Sequence, residues 1–409
     1  MDLTIALEHR FARTRDGAVW TPTSLSRRSW TRYLGAFERV RLLARVDHVA
    51  EARPDWLRVD SDRVEMAPVP HYVGPAQYLA RWIEVEHAVR AALASHPHDA
   101  VILRVPGTIG GVAARALRAE RRRFGLEVVG DPWDVFAPGA SDHALRAAFR
   151  WLATSQLRRL CLESCANLYV TAAALQRRYP PASGAPSFAS SDVELGDDAF
   201  VDAPRTTESP AGPPFRIVHV GTLAALYKAP DLLIRAVARC ARDGLDVRLA
   251  ILGDGRHRPA LAALSERLGI GGRVVFLGHL PSGDAVRREL DSAHLFVLPS
   301  HQEGMPRAMI EAMARALPCL GTRVGGIPEL LSRPARVDAG DRALARRIAD
   351  IARDPELRAD LSRRNLTRAR EFHERTLQPT RERFYQEVAA ATGIRSDAHA
   401  NGAAHATGA

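Results

Sequence analysis

Short apolar runs alternate with longer stretches of helical periodicity along the whole 409-residue chain. In the first half, residues 4–8, 40–46, 99–104, 125–129 and 167–171 read as buried strands. Helical patterns separate them, clearest over Ala76–Ser95, Gly110–Arg123 and residues 141–165. The second half repeats the unit more regularly, with strands at 215–221, 247–255, 274–280, 295–298 and 318–322. Helices are expected at 232–241, 256–268 and 282–291, with further helices from 340 to 392. This alternation predicts an α/β protein whose parallel sheets are covered on both faces. Length and pattern predict two Rossmann-like domains, residues 1–195 and 215–374. The Pro-, Ser- and Asp-rich stretch 196–214 reads as the linker between them. A closing helix is expected over 375–394, followed by a disordered Ala/His/Gly tail over 395–409. In such sheets ligands bind beyond the carboxyl ends of strands, so the segments just after strands carry the chemistry.

One such segment runs from Ser300 to Met313, S-H-Q-E-G-M-P-R-A-M-I-E-A-M, between an apolar strand and a helix. Glu303 and Glu311 lie eight positions apart, a little over two helical turns, and so near one face. The backbone N–H groups around Arg307 and Ala308 begin the helix, where orphan donors and the dipole favour an anion, commonly phosphate. A carboxylate on either side of a phosphate site suits a ligand with hydroxyls on both sides of its phosphates, as in a nucleotide-sugar. The plain alternative is a Gly/Pro turn and an ordinary amphipathic helix with solvated glutamates.

Composition sharpens this. Lys+Arg number 57 against 47 Asp+Glu, giving a net charge of +10. Lys228 is the single lysine in an otherwise all-arginine set, a position where a compact ammonium rather than a planar fork is expected to serve. No zinc-finger spacing, aromatic RNA-binding signature or basic heptad region is present, so nucleic acid is not an expected partner. Four cysteines without a CxxC pair point to a reducing compartment, with Cys161 and Cys165 on one helix face as small apolar residues. No apolar run approaches the roughly 20 residues that span a bilayer. A cytoplasmic protein is expected, with peripheral membrane contact through the basic helix 141–165 set against an ordinary surface helix as the alternative.

Other segments are less specific. His9–Trp20 reads as a loop in which Arg10, Arg13 and Arg15 could meet phosphate and Gly17 lets backbone approach a ligand. Gly130-Asp131-Pro132-Trp133-Asp134 reads as a pocket floor, or as a turn with Trp133 in the core. Asp60-Ser61-Asp62 reads as a turn.

Five pieces taken in order carry a resemblance: V-G-T-L with Y-K-A-P-D-L-L (220–233), L-A-I-L-G-D-G (249–255), V-V-F-L-G-H-L (274–280), the Glu303–Glu311 stretch, and G-G-I-P-E (325–329). Residues 217–330 resemble the nucleotide-binding half of retaining glycosyltransferases of family 4, which have the GT-B fold, two Rossmann-like domains facing each other across a cleft. The first half is similar in layout only. The resemblance implies that Lys228 holds the diphosphate, Glu303 contacts the transferred sugar and Glu311 holds the ribose hydroxyls. It implies further that Gly304, Met305, Arg307 and Ala308 meet the phosphates, that Gly278 and Leu280 lie near the base, and that Asp254 lines that end. Two departures stand out. Thr222 follows Gly221 where the family commonly has Gly-Arg, so an arginine of the first loop is a candidate replacement. Asp131 occupies the place of a family histidine near the sugar and is the third candidate catalytic residue beside Glu303 and Lys228. The implied activity is metal-independent transfer of a hexose, with no cofactor, from a nucleotide-diphospho-sugar, UDP-sugar favoured. The acceptor is a hydroxyl in cell-envelope polysaccharide or glycolipid assembly. Glycosylation of a small natural product, and a catalytically degenerate nucleotide-binding relative, stay open as alternatives.

Overall fold

The computed structural model describes residues 1–135, 146–193, 195–206, 214–281 and 283–404, with side chains to residue 393. By internal contacts it divides into two units. The first holds Met1–Gly130, Ala153–Ser190 and the chain from Gln378; the second holds Asp131–Leu152 and Ser191–Leu377.

The first unit contains β1 (Leu3–Arg13), β2 (Val19–Thr21), β3 (Val40–His48), β4 (Leu57–Arg58), β5 (Val64–Pro70), β6 (Ala100–Val105), β7 (Gly125–Val128), β8 (Ala166–Tyr169) and β9 (Ser187–Ala189). Strands β5-β3-β1-β6-β7-β8-β9 are all parallel, and β2 and β4 add an antiparallel flap on β1. Helices Gly74–Ser95 and Thr108–Ala119 follow β5 and β6, as parallel crossovers require. Leu3, Ile5, Val40, Leu42, Ala100 and Ile102 form one core with Trp30, Tyr33, Phe384 and Tyr385. Gly125 is bare because a Cβ there would lie 2.3 Å from Val388, on the last helix.

The second unit contains β10 (Phe215–Val220), β11 (Val247–Leu252), β12 (Val274–Gly278), β13 (Leu295–Leu298), β14 (Cys319–Thr322) and β15 (Arg336–Val337). Its sheet is parallel in the order β12-β11-β10-β13-β14-β15. Strand order reverses between β10 and β13, the switch point at which such sheets bind ligands.

Several expectations change. The segment His9–Arg13 is strand rather than loop, because β1 continues past an irregularity to pair Arg10–Arg13 with Arg45–His48 of β3. The described part of the basic helix is Arg146–Glu163; residues 141–145 of the expected helix lie outside the described residues. Cys165 lies beyond that helix, its N–H donating to Phe124 O, so it does not share a helical face with Cys161. The last helix is Glu374–Ala404, continuing past the point at which disorder was expected to begin; residues 405–409 lie outside the described residues. The stretch expected as a linker is anchored to the second unit up to Thr206. Val201 N–H donates to Ala314 O, and Arg205 N–H donates to Ser362 Oγ. Residues 207–213 of it lie outside the described residues.

Candidate active site

The carboxyl ends of β10 and β13 bring together the two motifs that composition and spacing single out. Lys228 Nζ lies 3.0 Å from Glu303 Oε1, and Ser300 Oγ donates to the same oxygen at 2.7 Å. Both charged side chains are largely buried, 14% and 8% exposed, which makes them a desolvated pair rather than a surface ion pair. Burial disfavours the Lys228 ammonium, but Glu303 and Tyr227 more than offset this and raise its pKa above the ordinary lysine value. The lysine is therefore charged at neutral pH.

Gly221 is required here for a steric reason. A Cβ on it would lie 2.2 Å from Lys228 Cδ, so the lysine stem crosses the bare glycine. The turn carrying Lys228 is fixed to the loop after β13 by His301 N–H donating to Tyr227 O at 2.7 Å. Ala229 follows in the left-handed region, φ 49° and ψ 48°, a conformation that costs a non-glycine residue about 1–2 kcal/mol and persists only where surroundings impose it.

The glycine turns lock these loops together. Gly253 and Gly255 have positive φ, and Cβ atoms on them would lie 1.9 Å from Gly221 O and 2.1 Å from Ala224 N. Leu223 N–H donates to Asp254 O, and Gly253 N–H donates to Gly278 O at 2.7 Å. On the other side Gly325, φ +51°, leaves no room for a Cβ, which would lie 1.8 Å from Glu303 O. Gly326 N–H donates to Gly304 O at 2.7 Å. The five sequence pieces are thus one contiguous set of loops.

Helix Arg307–Ala314 opens on Pro306, and no side chain of that N-cap residue caps its first turn. Its N-terminal end carries the positive dipole. Met305 is buried beneath it, its Sδ 3.1 Å from the position of a Cβ on Gly326. Glu311 lies within the helix; burial raises its pKa, only partly opposed by Arg307 and Arg287. Thr222 is exposed, and its hydroxyl accepts from Ala224 N–H at 3.1 Å. Asp254 caps Gly255 N–H at 2.7 Å. Gly278 ends β12 with φ +71°, and Leu280 is half-buried beyond it.

Candidates from the first half are placed differently. Gly17 is a hairpin-turn glycine, φ +86°, with no atom within 4 Å of a Cβ position. Asp131 is 6% exposed and accepts from Trp133 N–H at 2.9 Å, at the start of the short helix Pro132–Val135. Trp133 is not in the core: it is 38% exposed, with the Arg150 guanidinium 3.6 Å above its ring. Asp60 is a turn residue, accepting from Val19 N–H and Arg58 Nε.

Three site residues escaped sequence reasoning. Ser300 and Tyr227 act through geometry that no spacing rule encodes. His219, inside β10, is fully buried; its Nδ1 lies 3.0 Å from Val297 O, and its Nε2 has no partner among the described residues. Burial, with Lys228 nearby, pushes its pKa down to about 4. A histidine inside an apolar strand run was the one available signal.

Residues 214–354 match the model of the family described as Glycosyl transferases group 1. The chain is 22% identical over 303 residues to Protein CapJ of Staphylococcus aureus, covering 74% of each. It is 30% identical over 152 residues to N-acetyl-alpha-D-glucosaminyl L-malate synthase of Bacillus anthracis, covering 36% of this chain and 39% of that one. Among solved structures, sucrose-phosphate synthase from Thermosynechococcus elongatus superposes with a TM-score of 0.71 at 16% identity, over 96% of this chain and 100% of the other. Anabaena Alr3699/HepE, solved in complex with UDP and glucose, superposes with a TM-score of 0.62 at 15% identity, over 98% and 100%. These likenesses establish the GT-B fold.

Proposed function

We propose, from the match of residues 214–354 to the group 1 glycosyl transferase model and from the GT-B fold, that the chain is a retaining glycosyltransferase that uses a nucleotide-diphospho-sugar, with UDP-sugar the favoured donor. The observation that carries this is the Lys228–Glu303 pair at the β10/β13 switch point, in the loops that lead into the N-terminal end of helix Arg307–Ala314. The complex of a neighbouring fold with UDP and glucose supports the choice of base.

On this proposal the donor diphosphate sits between Lys228 and the helix N-terminus. It draws the ammonium away from Glu303 and frees that carboxylate for the hydroxyls of the transferred sugar. Glu311, on the next turns of the helix, takes the ribose hydroxyls. The bond from the anomeric carbon to the diphosphate breaks, the acceptor oxygen bonds to that carbon on the same face, and the acceptor proton passes to the leaving phosphate. Negative charge grows on the diphosphate as the bond breaks, and a fixed cation with helix-end N–H groups stabilises it without reorganisation. No metal or cofactor is assigned a part. Asp131, held at a helix start, is assigned to hydrogen-bond a sugar or acceptor hydroxyl. The acceptor is assigned to cell-envelope polysaccharide or glycolipid assembly.

The test is thermal unfolding of the full chain with UDP, GDP, ADP and TDP, alongside Lys228→Ala. A ligand at about 100 times its dissociation constant adds roughly 2.7 kcal/mol. UDP is expected to raise the wild-type melting temperature most, with the shift largely lost in the mutant. No shift with any nucleotide at millimolar concentration would sink the donor assignment.

A further inference from the structure

A cavity lies at the amino ends of the second unit's strands, opposite the loops described above. It has a volume of about 480 Å³ and is lined by Arg205, Arg216, Arg315 and Arg358, with Asp291 as the one carboxylate among its described lining residues. Arg216 is the second residue of β10, Ala293 and His294 precede β13, and Pro318 precedes β14. The nucleotide-facing loops leave the other ends of these strands, about 15 Å away at strand rise, so this cavity is not part of the site described above.

Its arginines are held, not mobile. Arg315 is bidentate to Asp291, at 2.7 and 2.8 Å. Arg205 donates to Ala293 O and to Leu290 O, and Arg216 Nε donates to Ser292 O at 2.6 Å, all around the end of helix Asp284–Ser292. Arg358 Nη1 donates to Ile351 O and Ala352 O, at the end of helix Asp341–Arg353. Carbonyls fix the guanidiniums but carry no full charge. Three of the four cations therefore have no carboxylate within ion-pair distance among the described residues. Arg216 and Arg358 also keep donor groups without a protein partner among those residues. Burial, only partly opposed by Asp291, lowers the pKa of Arg205, as burial against Asp354 does for Arg358. That is the sign expected of desolvated cations lacking a counter-anion.

We propose that this cavity binds a phosphorylated small molecule, its phosphomonoester gripped by Arg216 and Arg358 and its body resting on Val201, Ala203 and Pro318. Pre-oriented guanidinium forks match phosphate oxygens in pairs. The volume falls in the range of about 300–1,000 Å³ that holds small ligands, more than a bare phosphate needs.

The test is isothermal titration of the full chain, at fixed ionic strength, with glucose 6-phosphate, inorganic phosphate and glucose. Glucose 6-phosphate is expected to bind, inorganic phosphate more weakly, and glucose not at all. Lys228→Ala should leave this binding intact, which separates the cavity from the donor site. Arg216→Gln and Arg358→Gln should each weaken it by about tenfold or more, one lost charge-assisted contact. Arg358 also caps a helix, so Ala203→Glu, which puts a carboxylate on the exposed wall without touching those caps, is the control; it should abolish binding in a normally folded chain. Absence of binding to the wild type at millimolar concentration overturns the proposal. So does binding abolished by Lys228→Ala, or binding untouched by Arg216→Gln and Ala203→Glu.

Discussion

At the residue scale, the lone lysine is explained by what lies under it. Its stem passes over Gly221 with no room for a methyl group, and its ammonium meets Glu303 end-on. Gly221→Ala is expected to push the stem aside and lower UDP affinity by about tenfold, a loss of one charge-assisted contact, measured by titration calorimetry. Glu311 carries a pH signature. Its folded pKa is raised above the ordinary 4.5 by burial. From 4.5 up to that raised value the folded state keeps a proton that the unfolded chain has released, so this group's contribution to stability falls as pH rises through the window. Above that window the desolvation penalty is fully present, so the buried carboxyl group is a net liability. Glu311→Gln is therefore expected to raise the ligand-free melting temperature at pH 7, by a change within about 1 kcal/mol. The gain should shrink as pH is lowered towards 4.5, while UDP binding weakens. Thermal scans across pH, with and without UDP, check both signs.

At the element scale, the two sheets share an order and differ at one corner. In each, a helix follows the fourth parallel strand, β6 or β13, which pairs with the first, β1 or β10. In the second unit that helix is Arg307–Ala314, with no side-chain cap from its N-cap proline. In the first unit it is Thr108–Ala119, and Glu8 Oε2 accepts from Ile109 N–H at 3.0 Å while its other oxygen meets Tyr72 OH at 2.8 Å and Arg45 Nη2 at 3.2 Å. The first unit thus fills this helix-end position with a carboxylate of its own. Glu8→Ala is expected to destabilise the chain by about 2 kcal/mol, since it strands Arg45, Tyr72 and a helix-end donor. UDP affinity should not change; chemical denaturation and titration separate the two. The second sheet was legible because its strands end in glycine turns that mark the ligand side, as at Gly253, Gly255 and Gly325. The first was less so. The charges Arg10 and Arg13 read as loop, yet pairing with β3 overrides local polarity and keeps them in a strand. The resemblance gave Lys228 and Glu303 separate roles; neither their contact nor its closure by Ser300 was legible, because a pairing between distant loops and a short side chain at the end of an apolar strand leave no periodic trace.

At the scale of the whole molecule, the excess of ten positive charges has a definite local partner in apolar surface. Among the described residues, no helix is long and apolar enough to cross a membrane. Helix Arg146–Glu163 instead exposes Trp151, Leu152 and Leu162, at 67%, 54% and 54%. Arg150 on the same helix stacks over half-exposed Trp133. Apolar side chains among arginines suit the interface of an anionic bilayer, where each cation near the surface adds about 1 kcal/mol and Trp sits at headgroup depth. The same face on an ordinary surface helix would show no preference between lipids. The full chain is therefore expected to co-sediment with vesicles containing phosphatidylglycerol and not with phosphatidylcholine alone. High salt should weaken binding, since exposed charges are screened within about 8–10 Å. Trp151→Ala should reduce it several-fold while leaving the UDP-dependent thermal shift intact, because Trp151 lies outside the Lys228–Glu303 loops. Equal sedimentation with both lipids, or binding unchanged in Trp151→Ala, would return this helix to the role of ordinary surface.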